Sequence, residues 1–303
     1  MDQNLKEKIL ELKRQKNAVI LAHYYQRPEV QEIADFIGDS YYLSKIAKEN
    51  AADTIVFCGV KFMAESAKVL SPQKKVLLPQ PKAGCPMADM ATADELKKLK
   101  KQHPNAKVVC YINSSVEVKA LSDTCCTSSN AVKIVKRIDS DEIIFLPDKN
   151  LGSYVQEKVP EKKIILWNGF CRVHNMIIPP DIDEIKNKYG DMKVLAHPEC
   201  WKLVRDMANF IGSTGAMIDY AKNDTASNKY LVVTETGIMY KMQEKVPNKQ
   251  FYTLNNMVCV NMKATHLEDV YNSLLNSTFE INIEKNLREK ALTSLENMLI
   301  LGR

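Results

Sequence analysis

The sequence lacks the segments that would direct a protein into or across a membrane. Its 303 residues contain no run of about 18 or more apolar residues, the length that a membrane-spanning helix needs. The opening stretch, MDQNLKEKILELKRQKNAVI, is charged and helix-patterned, without the apolar core and small-residue cleavage site of a secretory signal. We therefore expect no membrane partner, a cytoplasmic location and reduced thiols.

A block of basic residues is also absent. The 42 lysines and arginines outnumber the 37 acidic residues and give a net charge of +5, but the lysines alternate with glutamates along the chain. Alternation of this kind is typical of solvated helix faces, and no nucleic-acid motif accompanies it. We therefore expect no nucleic-acid partner, whereas a mild positive charge suits small anionic substrates.

Local metal-binding patterns are missing as well. The sequence has eight cysteines, yet it contains no CxxC pair and no cysteine–histidine spacing of the zinc-finger type. A metal site would therefore have to be assembled from distant segments. The stretch GFCRVHN contains Cys171 and His174, and taken alone it is compatible with a metal ligand, a nucleophile or a core residue.

What the sequence does contain is a threefold repeat. AHYYQRPEVQEIADFIGDS (22–40) aligns without gaps with AHPECWKLVRDMANFIGST (196–214), and CYINSSVEVKALSDTCCTS (110–128) is a more divergent copy. Each copy is followed by an apolar strand, a helix, a short strand and a loop with one cysteine. These equivalent cysteines are Cys85, Cys171 and Cys259.

Strands that alternate with helical segments predict parallel βαβ units covered by helices on both faces. The expected fold class is α/β, with three repeated three-layer αβα sandwich domains whose parallel sheets are arranged about a pseudo-threefold axis. A linear array of three units is the alternative. The predicted domains are residues 1–85 together with the C-terminal helices 264–303, residues 86–172, and residues 173–263.

Within each copy, one continuous helix is predicted after the first strand, over residues 28–38, 115–123 and 201–210. The turns GDS, TSS and GST follow, and a second helix begins after each. The predicted N-cap residues of these helices are Ser40, Ser128 and Thr214. Because a helix N-terminus offers free N–H groups and partial positive charge, the three turns could hold carboxylate or phosphate groups.

Ligands of parallel α/β sheets bind beyond the carboxyl ends of the strands. The polar residues that follow the first strands are His23, Tyr25, Tyr111, Asn113, His197 and Glu199. The loops after the last strands carry the three equivalent cysteines, and His174 lies in the second of these loops. We therefore expect these side chains to meet in one central cavity.

Three cysteines that meet in one cavity fit a [4Fe–4S] cluster better than zinc, because three thiolates leave one of the four irons open. An open iron is a Lewis acid, so the arrangement favours chemistry over electron transfer. The predicted cofactor is one [4Fe–4S] cluster per chain, with Cys85, Cys171 and Cys259 as ligands. A redox or iron-sensing protein and a cluster-free hydrolase that uses Cys171 and His174 are the alternatives. The remaining cysteines are predicted to be packing residues: Cys58, Cys110, Cys125, Cys126 and Cys200.

The motifs AHYYQ, IADFIGDS, CPMA, YINSS, CTSSNA, NGFCRVH, HPEC, GSTGAM and CVNMK occur in order, and with them nearly the whole chain resembles the quinolinate synthase family. The resemblance implies three αβα domains about a pseudo-threefold axis and one [4Fe–4S] cluster held by three cysteines. It implies a condensing and dehydrating transferase of NAD biosynthesis. Its reaction joins iminoaspartate to dihydroxyacetone phosphate and gives quinolinate with loss of two waters and phosphate.

Carried over residue by residue, the resemblance implies that Cys85, Cys171 and Cys259 bind the cluster and that Tyr25 takes part in catalysis. Glu199 is the candidate general base. His23 and His197 are further candidate catalytic residues. The implied substrate-binding residues are His23, Ser40, Tyr111, Asn113, Ser128, His174, His197, Glu199, Ser213 and Thr214.

Some members of the family carry a CxxCxxC run at the third cysteine. In this sequence Asn256 and Met262 stand at the two outer positions, so a thiol switch is not expected there. The expected partners are the two small-molecule substrates, with a functional link to an L-aspartate oxidase or dehydrogenase that supplies iminoaspartate. A monomer or a homodimer is expected.

Overall fold

A computed structural model describes residues 2–303 and contains three four-stranded sheets in which all strand pairs are parallel. In each sheet the second strand in chain order forms one edge, followed by the first, the third and the fourth. Helices are interleaved with the strands along the chain. The predicted α/β fold with three repeated parallel sheets is therefore confirmed.

The helices and strands repeat in the same order around each sheet. The first set is α1 (Asp2–Gln15), β1 (Ala18–His23), α2 (Pro28–Glu32), β2 (Phe36–Gly38), α3 (Ser40–Glu49), β3 (Thr54–Cys58), α4 (Lys61–Leu70) and β4 (Lys75–Leu77). The second set is α5 (Ala93–Gln102), β5 (Lys107–Tyr111), α6 (Val116–Ala120), β6 (Thr124–Cys126), α7 (Ala131–Arg137), β7 (Glu142–Leu146), α8 (Lys149–Lys158) and β8 (Lys163–Leu166).

The third set begins with a short additional helix, and two further helices follow the set. It comprises α9 (Arg172–Asn175), α10 (Pro179–Tyr189), β9 (Lys193–Ala196), α11 (Lys202–Arg205), β10 (Phe210–Ile211), α12 (Thr214–Asn223), β11 (Lys229–Val233), α13 (Ile238–Lys245) and β12 (Gln250–Thr253). The C-terminal helices are α14 (Leu267–Asn276) and α15 (Lys285–Leu301). None of the helices in the described part of the chain is both long and apolar enough to cross a membrane.

The prediction of one continuous helix over 28–38, 115–123 and 201–210 is wrong in the second half of each segment. Helices α2, α6 and α11 end early, and the residues after them form the short edge strands β2, β6 and β10. In the first sheet, Phe36 pairs with Leu21 of the neighbouring strand. A short apolar triplet fits a helix or a strand equally well, and the open edge of the first strand decides in favour of the strand.

A side-chain acceptor just before each edge strand fixes that strand against the first strand. Its oxygen accepts a hydrogen bond from a backbone N–H of the first strand, and the N···O distance is 2.8 Å in all three sheets. The three pairs are Asp35 with Ile20, Asp123 with Val108 and Asn209 with Val194. The repeat seen in the sequence is therefore preserved in side-chain contacts.

Three buried polar side chains at equivalent positions link the three sets to one another. Gln31 of α2 donates to the carbonyl of Gly237 at the start of α13, at 3.1 Å. Lys119 of α6 donates to the carbonyl of Phe62 at the start of α4, at 3.4 Å. Arg205 of α11 completes the pattern through the carbonyl of Asn150 at the start of α8, at 3.1 Å. These links run from the first set to the third, from the second to the first, and from the third to the second.

Such a closed ring of links favours the pseudo-threefold arrangement over a linear array, which would leave the two end units unconnected. The arrangement itself stays a prediction.

The C-terminal helices pack on different sets. Helix α14 contacts α1 and β3 of the first set, whereas α15 contacts α6, β6 and α7 of the second set as well as α4 of the first. Its side chains Ala291, Leu295 and Met298 enter the apolar core that the first two sheets share. The third sheet has apolar clusters of its own. The predicted domain boundaries stay a prediction, and α15 bridges two of the predicted domains.

Candidate active site

The strand ends of all three sheets surround one cavity of about 270 Å³. Residues that follow first strands, third strands and last strands contribute to its wall. The sequence-predicted residues in the wall are His23, Tyr25, Ser40, Cys85, Tyr111, Asn113, Ser128, Cys171, His174, His197, Glu199, Thr214 and Cys259. The structure therefore brings together side chains that are far apart in the sequence.

The eight cysteines fall into two classes by exposure. Cys85, Cys171 and Cys259 are partly exposed, and all three line the cavity. The other five are buried, as expected of packing residues: Cys58, Cys110, Cys125, Cys126 and Cys200. The cysteines at equivalent positions of the repeat are thus the ones that line the cavity.

Burial and nearby backbone N–H groups act in opposite directions on the pKa of these three thiols. Burial raises the pKa of Cys85 to about 12 and raises the pKa of Cys171 and Cys259 as well. Hydrogen bonds from nearby backbone N–H groups act in the opposite direction. The donors are Met87 and Ala88 for Cys85, His174 for Cys171, and Asn261 and Met262 for Cys259. Burial opposes a free thiolate, and nearby N–H groups favour negative charge on sulfur. Three partly exposed thiols in such surroundings suit a bound cationic group such as an iron–sulfur cluster.

A second possible metal-binding group overlaps the first. This group consists of Cys171, His174 and Glu199, each of which offers one ligand atom, and these three atoms lie within 4.8 Å of one another. His174 Nδ1 lies 2.8 Å from Glu199 Oε2 and 3.3 Å from Cys171 Sγ. A single ion at this position would have to displace the hydrogen bond between His174 and Glu199. Among the three thiols, the Cys171 sulfur contacts His174 at a longer distance of 3.3 Å, and a cluster held by the thiols would leave the hydrogen bond between His174 and Glu199 in place, so we favour the three thiols as the ligands.

A chain of hydrogen bonds crosses the cavity wall from Tyr25 to Tyr111. The Tyr25 hydroxyl lies 2.6 Å from Thr234 Oγ1, which lies 2.8 Å from His174 Nε2. His174 Nδ1 donates to one oxygen of Glu199, and the Tyr111 hydroxyl donates to the other oxygen at 2.5 Å. The Thr234 hydroxyl therefore lies between the Tyr25 hydroxyl and His174 Nε2 and joins them through two hydrogen bonds.

The protonation states of Glu199 and the two tyrosines in this hydrogen-bond chain follow from their surroundings. Burial alone would raise the pKa of Glu199, but the hydrogen bonds that His174 and Tyr111 donate to the carboxylate stabilise its ionised form, and that pKa lies below its ordinary value. Burial, followed by the negative charge on Glu199, raises the pKa of both Tyr25 and Tyr111. Glu199 is therefore an ionised acceptor, and both tyrosines keep their protons.

His23 and His197 occupy equivalent positions of the repeat and have the same local geometry. A backbone N–H two residues downstream donates to Nδ1 of each ring, from Tyr25 at 3.1 Å and from Glu199 at 3.3 Å. Burial lowers the pKa of both histidines to about 3. Both rings are therefore neutral, and each carries its proton on Nε2. His197 also stacks on His174, with the ring centroids 4.6 Å apart.

The predicted N-caps are one or two residues away from the observed ones. The N-cap of α3 is Asp39, whose side chain accepts from the N–H of Tyr42, and the N-cap of α7 is Asn130. In α12 the N-cap is Ser213 and Thr214 is the first helical residue. Aspartate, asparagine and serine all cap well, so residue type alone could not select the correct position.

Ser40, Ser128 and Thr214 are therefore not N-caps, and all three line the cavity wall. Ser213 is not among the wall residues, because its hydroxyl accepts from the N–H of Ala216 at 3.4 Å. The side-chain oxygen of Asn113 is buried and has no hydrogen-bond partner in the described part of the chain. An orphaned acceptor in the wall indicates a place for a ligand donor. The substrate-binding roles of all these residues stay predictions.

Sequence reasoning missed the residues after the third strands. Thr234 and Glu235 follow β11, and Asp148 follows β7. All three are fully buried. The rule that ligands lie beyond the carboxyl ends of parallel strands applies to third strands as well as to first and last strands, so it could have identified them.

Comparisons with known proteins agree along the whole chain. A family model described as "Quinolinate synthetase A protein" matches residues 7–300. A protein named quinolinate synthase from Clostridium acetobutylicum is 88% identical over 303 residues, which is 100% of both chains. Proteins of the same name from Clostridium perfringens (strain ATCC 13124) and Caldicellulosiruptor saccharolyticus are 57% identical over 300 residues and 54% identical over 301 residues. Each of these two matches covers 99% of this chain and 99% of the relative.

Proposed function

The chain belongs to the quinolinate synthetase A family, and from this premise we propose that it is a quinolinate synthase. It condenses iminoaspartate with dihydroxyacetone phosphate and releases two waters and phosphate, as a transferase of NAD biosynthesis. The observation that carries this proposal is the cavity in which the three partly exposed cysteines and the Tyr25–Glu199 hydrogen-bond chain share one wall.

We propose that Cys85, Cys171 and Cys259 hold one [4Fe–4S] cluster per chain. Their partial exposure and their place in the wall of one cavity support this assignment. When bound by three thiolates, such a cluster supplies one open iron that acts as a Lewis acid toward oxygen or nitrogen groups. The arrangement of the three units about a pseudo-threefold axis, which the ring of Gln31, Lys119 and Arg205 contacts supports, brings the cysteines together.

The substrates carry two carboxylates and one phosphate, and the cavity offers three helix N-termini. Ser40 and Thr214 are the first residues of α3 and α12, and Ser128 precedes α7. All three residues line the cavity. Backbone N–H groups at these helix ends, together with the serine and threonine hydroxyls, bind the anionic groups and orient them.

Enolisation, imine formation and dehydration require groups that hold and release protons. Glu199 is ionised and takes a proton, with His174 and Tyr111 as its hydrogen-bond donors. Tyr25 keeps its hydroxyl proton and can deliver it, and Thr234 joins it to His174. His23 and His197 are neutral and donate from Nε2 to the oxygens of the substrate.

Replacing Thr234 with valine should interrupt the hydrogen-bond chain between Tyr25 and His174, because valine has nearly the shape of threonine but no hydroxyl. Because the substitution removes the hydroxyl that joins Tyr25 to His174, we expect kcat to fall about 10–100-fold with little change in KM or iron content. Steady-state kinetics measures kcat and KM, and iron analysis measures the iron content. Thr253 is the matched control, since its hydroxyl has no hydrogen-bond partner in the described residues, and Thr253→Val should keep the wild-type rate. Wild-type kcat in the Thr234→Val enzyme would refute the proton link.

The direct test of the proposed function is an assay of quinolinate formation under argon from the two substrates. Turnover with a brown, cluster-bearing protein supports the proposal. A cluster without turnover would indicate the redox or iron-sensing alternative. A colourless protein that thiol alkylation inhibits would indicate the Cys171–His174 hydrolase. His174 Nδ1 lies 3.3 Å from Cys171 Sγ, but it lies nearer to Glu199, at 2.8 Å, and this competes with activation of the thiol. The functional link to an L-aspartate oxidase or dehydrogenase, the monomeric or dimeric state and the cytoplasmic location stay predictions.

A further inference from the structure

Three separate segments converge beside the third cysteine. They are the turn at Tyr25 after β1, the turn at Gly237 after β11, and the loop that carries Cys259. The fit at Gly237 is tight, because a Cβ atom built there would lie 2.7 Å from the Cα of Tyr25 and 2.5 Å from Nζ of Lys263. The Tyr25 turn is also bound to the cysteine loop through Gln26, whose side chain donates to the carbonyl of Met262 at 2.7 Å.

A buried ion pair lies at the centre of this junction. Glu235 is 1% exposed in its side chain, and Lys263 is 18% exposed; Nζ of the lysine lies 3.1 Å from Oε1 of the glutamate. Glu235 accepts the backbone N–H of Cys259 at 3.2 Å on one oxygen and that of Gly237 at 2.6 Å on the other. Lys263 also donates to the backbone carbonyl of Tyr25 at 2.7 Å. One ion pair therefore contacts all three segments.

The second set carries an equivalent carboxylate. Asp148 is fully buried and is the second residue after β7, as Glu235 is the second residue after β11. One oxygen of Asp148 accepts the backbone N–H of Cys171 at 2.9 Å, and the other accepts that of Leu151 at 2.7 Å. In the first set this position is Val60. The buried carboxylate that accepts a cysteine N–H is therefore present in two of the three copies.

We propose that Asp148 and Glu235 are positioning residues for the cysteines that hold the cluster. Each carboxylate uses both oxygens to fix a cysteine loop against the strand end behind it. Glu235 does more, because through Lys263 it also fixes the backbone of Tyr25 relative to Cys259. This inference rests on the proposed function, and it assigns roles to Asp148, Glu235 and Lys263 that the motifs of the family resemblance do not include.

Substitution of the two carboxylates should mainly affect iron retention, whereas substitution of the lysine should mainly affect kcat. An amide in place of either carboxylate presents an NH₂ group to one of the backbone N–H donors, so one hydrogen bond is lost. Glu235→Gln and Asp148→Asn should therefore both loosen a cysteine loop and speed the loss of iron to a chelator. Lys263→Met leaves the bond between Glu235 and Cys259 in place, so it should mainly lower kcat through Tyr25.

The experiment compares the full-length chain, reconstituted anaerobically, as wild type and as the three variants. Iron loss to an added chelator, the spectrum of the reduced cluster, kcat and KM are measured for each. We expect Glu235→Gln and Asp148→Asn to lose iron about 10–100-fold faster than wild type. We expect Lys263→Met to retain iron like wild type but to have a kcat reduced about tenfold. Glu157→Gln is the matched control, since this carboxylate pairs with buried Arg205 at 2.7 Å and does not line the cavity.

Thermal unfolding of the cluster-free proteins identifies any variant that has not folded. If one variant does not fold, the other two variants test the positioning role. Wild-type iron retention and kcat in the folded variants would overturn the positioning role while leaving the proposed function intact. A wild-type chain that binds no cluster and makes no quinolinate would instead overturn the proposed function, and the positioning role with it.

Discussion

Replacing Cys171 with alanine is expected to abolish both the cluster and quinolinate formation. Cys171 contributes one of three partly exposed thiols in the cavity, and two remaining thiolates would leave two irons of a cube without a protein ligand. Activity should fall to the background of the assay, and the brown colour should be absent. Iron and sulfide analysis of anaerobically purified protein measures the first loss, and the quinolinate assay measures the second.

The matched control for this variant is Cys58→Ala. Cys58 is fully buried in β3 and has no place in the cavity wall, so its removal should cost some stability but leave the cluster and the rate near those of wild type. A Cys171→Ala protein with a full complement of iron and sulfide would contradict the assignment of this residue as a ligand.

Replacing Glu199 with glutamine should separate the chemistry from the cluster. Glu199 is ionised, buried and hydrogen-bonded by His174 and Tyr111, so it can accept a proton, whereas an amide cannot. We expect the cluster content of wild type and a fall in kcat of about 10²–10⁴-fold. Because the pKa of Glu199 lies below its ordinary value, protonation of this carboxylate should not limit the wild-type rate near neutral pH.

Steady-state kinetics under argon, together with iron analysis, decides the outcome. Glu157→Gln is again the appropriate control, because it changes the same functional group outside the cavity. A near-normal rate in the Glu199→Gln enzyme would remove Glu199 as the base and shift attention to Tyr25 or the histidines.

The repeat in the sequence was sufficient to predict three parallel sheets, without their edge strands, and the grouping of the three thiols. Parallel strands with helical connections have one arrangement of carboxyl ends, so residues after equivalent strands must lie at equivalent edges. Cys85, Cys171 and Cys259 follow equivalent strands, so the sequence alone groups them. The same argument placed His23 and His197 in the cavity wall, and both lie there.

Contacts between distant segments could not be predicted in this way. The strand-end rule could have identified Thr234 as a candidate, but its importance comes from lying between Tyr25 and His174, and the rule does not predict that contact. The edge strand at Phe36 depends on a pairing partner that a local pattern does not contain. The Glu235–Lys263 pair joins residues of the third repeat to the Tyr25 turn of the first. Each of these features requires knowledge of how the sheets pack.

The central claim is that three distant thiols share one iron–sulfur cube, and metal and sulfide analysis of the anaerobically purified wild-type chain tests it most directly. The account predicts about four irons and four acid-labile sulfides per chain. A single metal ion per chain without sulfide, as the group of Cys171, His174 and Glu199 could hold, would contradict it.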